Sequence, residues 1–357
     1  MTQTTGRVPN RGPQRLLRTL LFTAGLLTAV RLAAFCATTL APLESTAYGR
    51  QDRHRVADLL RDPSQVDALV LGNSHAGAID AATLGQSAQV LNRGGGDVFE
   101  MQLYAAALLP RLPHLRHLVI AVSPFTLAWD NTADEAMKIR RVHAYSALPT
   151  WRFLSGDAFR LLLGKVDPWI GLTQELRGDS WKGVLLAALG RPVDAGSDAD
   201  AATAQAAPGA ADDCPRRSGA DLDQHAERRA AEIATTVTAM AAQQPDIRSA
   251  ALPALEAIVA EAQGRGIEVL LFTPPYWRRY TTELSRRLTS LASDSGADLR
   301  RLAARRQVPY LDHAADSRFV DDASAFRDGD HLNPCGAARF TRLLLAEQQD
   351  QRPPAAP

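Results

Sequence analysis

The stretch "LVLGNSHAGAID", residues 69–80, places a serine and a histidine side by side directly after an apolar run. Read with the residues before it, "VDALVLG" (66–72) is a short, continuous apolar segment closed by glycine, the pattern of a strand buried on both faces of a parallel sheet. "AQVLN" (88–92) and "HLVIAVS" (117–123) repeat the pattern, and between them residues 98–109 carry apolar side chains at helical spacing up to Pro110. The alternation resumes late in the chain. Leu252, Leu255, Ile258 and Val259 mark a helix ending near Gly264 and Gly266, "IEVLLFT" (267–273) follows as a fourth strand, and "VPYLD" (308–312) is a fifth after an arginine-rich helical stretch. Asn333 and Pro334 stand where an N-cap and a first-turn proline belong, ahead of a helix with Phe340, Leu343 and Leu344 on one face. Strands alternating with helices predict an α/β fold, a mainly parallel sheet covered on both faces.

The chain has 357 residues, 46% of them apolar, enough for a substantial core and against wholesale disorder. Forty basic residues nearly cancel 39 acidic ones, so there is no basic surplus to draw the protein to nucleic acid. The first residues differ: Arg7, Arg11, Arg15 and Arg18 occur without an acidic residue, and within 19–43 only Arg31 is charged. This predicts a cytoplasmic basic N-terminus (1–18) and a single transmembrane anchor (19–43) in the inner membrane, with the remainder exported to the periplasm or the exterior. Arg31 counts against a clean span, at about 2.5–3.5 kcal/mol on insertion scales. A cleaved signal peptide with its apolar region at 19–30 is the alternative, and the missing small-x-small site favours the anchor. Cys214 and Cys335 are candidate disulfide partners in an oxidising space, with free thiols the alternative.

Residues 44–65 are expected to be a linker, 66–131 and 250–346 the two parts of the α/β domain, and 347–357 a disordered tail. Between them, 132–249 breaks the alternation and is expected to be an inserted helical cap. It holds Trp151, Trp169 and Trp181, whose default role is core packing, and a low-complexity Ala/Asp/Gly loop at 194–213.

Ligands of an open parallel sheet collect beyond the carboxyl ends of its strands, which is where Ser74 falls, two residues past the apolar run. A serine nucleophile needs a base, and the base an orienting carboxylate. "RDGDHLNPCGAARF" (327–340) offers both, with Asp328 three residues before His331. A metal reading of "DGDH" finds no second His or Cys cluster at ligand spacing, so no metal or other cofactor is expected.

"GNSH" after the first strand, the glycine cluster "NRGGGD" (92–97) after the second and "DGDHLN" before the last helix together resemble the SGNH (GDSL-type) hydrolase superfamily. The resemblance spans roughly residues 66–346 without the insertion. It implies a flavodoxin-like, three-layer α/β/α sandwich with a five-stranded parallel sheet. It also implies Ser74 as nucleophile, His331 as base and Asp328 as its orienting partner, in preference to Asp330, which is left as a solvated or capping carboxylate. The same resemblance implies an oxyanion hole from the backbone N–H groups of Ser74 and of one of Gly94, Gly95 and Gly96, with Gly96 preferred, glycine allowing close approach. Asn73 replaces the usual aspartate before the serine, and His75 is expected to hydrogen-bond within the site. The third block, ordinarily Gly-x-Asn-Asp, is "VSPFTLAWDN" (122–131); its asparagine is absent, and Ser123 and Asn131 are the candidate replacements. Loss of one oxyanion donor typically costs about 2.7–4 kcal/mol of transition-state stabilisation. Tyr276 and Trp277 of "TPPYW" (273–277) are candidate pocket-lining groups.

The expectation is an exported, membrane-anchored serine esterase or O-acyltransferase acting on acyl esters, acetyl above all, of an envelope or secreted glycan or a lipid, by analogy with similar exported members of the superfamily. The alternative is a catalytically weak or inactive protein of the same fold that binds glycan or an envelope assembly partner. Protein partners and oligomeric state are not legible.

Overall fold

The computed structural model describes residues 22–23, 25–26, 28–29, 47–85, 87–133, 214 and 217–350. Most of the expected anchor (19–43), the three tryptophans of the insertion and the loop 194–213 lie outside them. Among the described residues no helix is long and apolar enough to cross a membrane. The described residues from 47 onward belong to one compact unit. This unit contains the sheet.

Five parallel strands, β1 (Ala68–Asn73), β2 (Ala88–Arg93), β3 (His117–Ala121), β4 (Glu268–Thr273) and β5 (Tyr310–Asp312), lie in the order β2-β1-β3-β4-β5. The chain leaves β1 towards one side and returns to its other side as β3. The loops after these two neighbours therefore diverge and leave a crevice at their carboxyl ends.

Alternation along each strand decides which face a side chain covers. Leu69, Leu71, Leu118, Ile120, Val269 and Leu271 point to one core, shared with α1 (Ala47–Arg61), α2 (Val98–Leu108), α4 (Ile247–Gly264) and α6 (Thr289–Arg306). Val70, Val119, Ala121, Leu270 and Phe272 point to the other, shared with α3 (Gly219–Gln243), α5 (Arg278–Arg287) and α7 (Pro334–Asp350). Both faces are apolar and covered, so the strands show the continuous runs from which they were predicted. Each fully buried Leu or Phe contributes about 1.5–3 kcal/mol.

Four boundaries differ from those expected, the first being the expected linker (44–65), which contains α1 with Val56 and Leu59 in the first core. Helix α3 falls within the span expected to be an insertion, yet Leu222, Ala226, Ala230, Ile233 and Val237 belong to the second core. Helix α7 continues to Asp350, into the expected tail. Strand β1 includes Asn73, because backbone pairing opposite Arg93 is indifferent to a polar side chain.

Cys214 and Cys335 form a disulfide, with Cα atoms 6.1 Å apart and a separation of 121 positions in sequence. It ties the chain just ahead of α3 to the first turn of α7. Closing so long a loop restricts the unfolded chain, and the Cys335→Ser variant is expected to lose about 2–4 kcal/mol in denaturant unfolding. The wild type in reductant should match the variant; an unchanged midpoint in both would show that the bond does not contribute.

Candidate active site

Ser74 follows β1 directly, one residue nearer the strand than expected, and opens a short 3-10 turn, Ser74–Ala78. Asn73 caps this turn, its Oδ1 accepting from His75 N at 3.0 Å while its Nδ2 donates to Ser123 Oγ at 3.1 Å. Asn73 is thus a buried brace between the ends of β1 and β3 rather than a surface group.

His331 reaches the same edge from the loop before α7. Phe326 and Leu332 form an antiparallel bridge, and Arg327 N donates to His331 O at 3.0 Å, which closes residues 327–331 into a tight loop. Asp328 Oδ1 accepts from the backbone N of His331 at 2.8 Å and of Asp330 at 3.1 Å, so its carboxylate is held by its own loop. Asn333 accepts from Gly336 N at 2.8 Å as the N-cap of α7 and donates to Ser324 O at 2.7 Å, locking helix and loop together.

Helix α3 supports the loop from behind. A Cβ on Gly329 would lie 2.5 Å from Ala226 Cα, so glycine is what lets loop and helix meet. Gly329 N donates to His225 Nδ1 at 3.2 Å, and Trp277 N donates to Gly329 O at 3.3 Å.

These elements bring together the three residues singled out from the motifs. Ser74 Oγ lies 2.8 Å from His331 Nε2, and His331 Nδ1 lies 3.0 and 3.1 Å from the two carboxylate oxygens of Asp328. Burial disfavours a charged His331 ring, but the carboxylates of Asp328 and then Asp330 outweigh it and hold the ring's pKa well above its ordinary value. Asp328 moves the other way: burial opposes its ionisation, and the His331 charge lowers its pKa nonetheless.

A second group of polar side chains lies behind the triad. Asp330 is only 1% exposed and is therefore not the solvated carboxylate expected. Its Oδ1 is 3.2 Å from His331 Nδ1, its Oδ2 is 3.5 Å from His75 Nε2, and Arg229 Nε donates to Oδ2 at 3.2 Å. His75 is buried as well, with Nδ1 2.5 Å from Ser123 Oγ and 3.3 Å from the Tyr276 hydroxyl. Burial dominates there and lowers its pKa, leaving a neutral ring. Tyr276 and Trp277 do not line an open pocket: both are buried, and Trp277 Nε1 donates to Asp223 Oδ1 at 2.7 Å.

Gly96 lies at the same sheet edge, in the loop after Arg93, whose strand partner is Asn73. That loop turns at Gly95, which has φ +66°, and ends at Asp97, whose Oδ1 accepts from Glu100 N at 2.8 Å to cap α2. Asn131 braces it: Nδ2 donates to Gly95 O at 2.9 Å and to Glu100 Oε1 at 2.8 Å, and Oδ1 accepts from Trp129 Nε1 at 3.0 Å. Ser123 is fully buried between Asn73 and His75. Among the described residues the Asn131 amide is engaged by Gly95 and Glu100, and the Ser123 hydroxyl by Asn73 and His75.

His75, Asp330 and His331, and likewise His225, Asp328 and Asp330, offer three potential ligand atoms within 4.8 Å of one another. In the first group the side chains already face one another as ion-pair partners, and in the second His225 Nδ1 accepts from Gly329 N, between the two aspartates in sequence. Of the groups around His331, sequence reasoning missed Arg229 and His225. They lie about a hundred residues upstream of the loop they touch, in a helix with no motif.

No protein-family model and no curated protein matches the chain. The site's geometry therefore carries the functional argument.

The contact of α3 with the loop predicts that Gly329→Ala forces the two apart. Overpacking of this kind costs about 1–3 kcal/mol. A lowered thermal midpoint together with slower phosphonylation of Ser74 by a fluorophosphonate is expected; an unaltered midpoint and rate would show that the loop does not rely on the contact.

Proposed function

We propose that the chain is an SGNH-type serine esterase or O-acyltransferase that works through an acyl-enzyme. The observation that carries this reading is the chain of contacts from Ser74 Oγ to His331 Nε2 and from His331 Nδ1 to Asp328, made by residues 257 apart in sequence. A resting serine hydroxyl is a weak nucleophile, and a base within hydrogen-bond reach activates it.

In the first half-reaction Ser74 Oγ attacks the carbonyl carbon of an ester as its proton passes to His331 Nε2. Asp328 holds the other ring nitrogen and stabilises the imidazolium that forms. The tetrahedral oxyanion takes hydrogen bonds from the backbone N–H groups of Ser74 and Gly96. Collapse returns the proton from His331 to the departing alcohol and leaves the acyl group on Ser74. Water or the hydroxyl of an acceptor then gives its proton to His331 and takes the acyl group, restoring Ser74. Hydrolysis and transfer thus share every protein group.

The predicted anchor at 19–43 and the Cys214–Cys335 disulfide support export to an oxidising compartment, with the inner membrane as the attachment point. Acyl esters, acetyl first, of an envelope or secreted glycan are the corresponding substrates. The missing third-block asparagine is the observation that favours the second reading, a non-catalytic glycan-binding or assembly protein of this fold.

Purified full-length protein in detergent is expected to hydrolyse p-nitrophenyl acetate and to gain the mass of one acetyl group on Ser74. Ser74→Ala and His331→Ala should each reduce the rate by at least about 10³-fold while retaining the circular dichroism of the wild type. Equal rates in wild type and Ser74→Ala, with no acylation from any activated ester, would reject the enzyme in favour of the binding protein.

The pH dependence has a definite sign. Only neutral His331 accepts the serine proton, and the flanking carboxylates favour the charged form, so kcat/KM rises with pH and its midpoint lies above the ordinary histidine value of about 6.5. A pH–rate profile tests this; a midpoint at or below that value would contradict it.

A further inference from the structure

We propose that Asp330 is a positioning residue for His331, a second buried carboxylate that holds the charged ring while Arg229 and His75 hold the carboxylate. The inference rests on the reading of His331 as the base. It concerns a residue that the Ser74, His331 and Asp328 relay does not require.

The two carboxylates meet the ring differently. Asp328 makes aligned hydrogen bonds to Nδ1 at 3.0 and 3.1 Å and is itself fixed by two backbone N–H groups. Asp330 Oδ1 approaches the same nitrogen to 3.2 Å without hydrogen-bond alignment. Asp328 can therefore set the ring's tautomer and orientation, whereas Asp330 acts through its charge. A carboxylate 1% exposed is an expensive group to bury unless it is paired, and this one faces cationic or polar groups from three separate segments.

Those segments give the cluster its direction. Ser123 Oγ accepts from Asn73 Nδ2 and can donate its own hydrogen to His75 Nδ1, an arrangement favoured by the Asp330 carboxylate facing the other ring nitrogen. A neutral His75 in that arrangement carries its proton on Nε2, the atom 3.5 Å from Asp330 Oδ2. The buried residues Asn73, Ser123 and His75 thus form a line that presents an N–H to Asp330. Arg229, from α3, supplies the full positive charge on the same oxygen at 3.2 Å, and its side chain is 36% exposed while Asp330 is enclosed.

Other titratable groups face the ring or its carboxylates. On the same loop Arg327 pairs with Asp328, at 3.3 Å. His225 of α3 accepts from Gly329 N, and the buried phenol of Tyr280 in α5 interacts with Asp330, Arg229 and Asp328. Tyr276 touches His75, whose ring centroid is 4.9 Å from that of His331. Among these, Arg229 is the cation that offsets Asp330 directly.

Two substitutions therefore have opposite signs. Asp330→Asn removes a negative charge beside His331 and should move its titration to lower pH by roughly one unit or more. Arg229→Gln removes the charge that offsets Asp330, strengthens the carboxylate's hold on the ring, and should move the titration to higher pH. A group that only fills space would give no such opposition.

The test uses full-length protein in detergent with ¹⁵N-labelled histidine. The His331 signals are assigned from a His331→Gln spectrum and titrated by NMR, and the pH dependence of Ser74 phosphonylation by a fluorophosphonate is measured alongside. Expected are a downward shift for Asp330→Asn and an upward shift for Arg229→Gln in the NMR titration, repeated in the phosphonylation limb. An unmoved His331 titration in Asp330→Asn, or shifts of the same sign in both variants, would overturn the proposal. Should Asp330→Asn not fold, Arg229→Gln decides alone: an upward shift supports the proposal, and none or a downward one overturns it. A Ser74 that does not react at any pH would count against the enzyme reading, while the NMR titration would still read the role of Asp330.

Discussion

Residue 72 has no room for a side chain. A Cβ there would stand 2.8 Å from the Cβ atoms of both Ala121, at the end of β3, and Ala76, in the turn after β1. This three-way approach lets the chain leave β1 in a tight turn while its neighbour still runs alongside. With it, Asn73 spans to Ser123, His75 folds under the turn, and Ser74 is left at the crevice between diverging loops. The position of Ser74 is therefore set by backbone packing between two strand ends. His331 arrives from 257 residues away through a different device, a loop locked by Asn333 and leaned against α3.

The polar interior behind Ser74 is unusual for a sheet otherwise filled with aliphatic groups. Asn73, His75, Ser123 and Asp330 are each less than 5% exposed and stand next to one another. Burying such groups is unfavourable unless each finds a partner, and removing one partner leaves the others stranded. Such a cluster holds one arrangement of donors and acceptors. A neutral His75 and an anionic Asp330 are two faces of that arrangement: burial favours the first, and the cations His331 and Arg229 favour the second.

Much of this was legible in the sequence, and the reasons are local. Strands β1, β3 and β4 announced themselves as apolar runs because both faces of the sheet are covered there, and β2 and β5 as shorter segments of the same kind. Asn333 and Pro334 marked the last helix through capping chemistry alone. Ser74, Asp328 and His331 were found because their motifs are short and lie at element ends. What lay beyond reach was long-range. Nothing near residue 229 shows that an arginine there meets Asp330, and the "DGDH" motif does not say which carboxylate is enclosed. Asn131, a candidate for the missing oxyanion donor, braces the glycine loop instead, a role fixed by Gly95 and Glu100 in space. Tyr276 and Trp277 end a strand at the right edge, yet their rings turn inward.

The disulfide has a topological consequence. Both cysteines lie on the carboxyl side of residues 134–213, so the covalent ring they close encloses α3 to α6, β4, β5 and the His331 loop, but neither β1 nor Ser74. Seen as a covalent graph, the molecule is two pieces joined by one linear connection, Ser74 on the first and His331 on the second. In the sheet their only shared seam among the described residues is the parallel pairing of β3 with β4, from His117 opposite Glu268 to Ala121 opposite Phe272. The contacts of Ser74 with His331 and of His331 with Asp328 therefore depend on an internal interface, and the chain is organised like two complementary fragments.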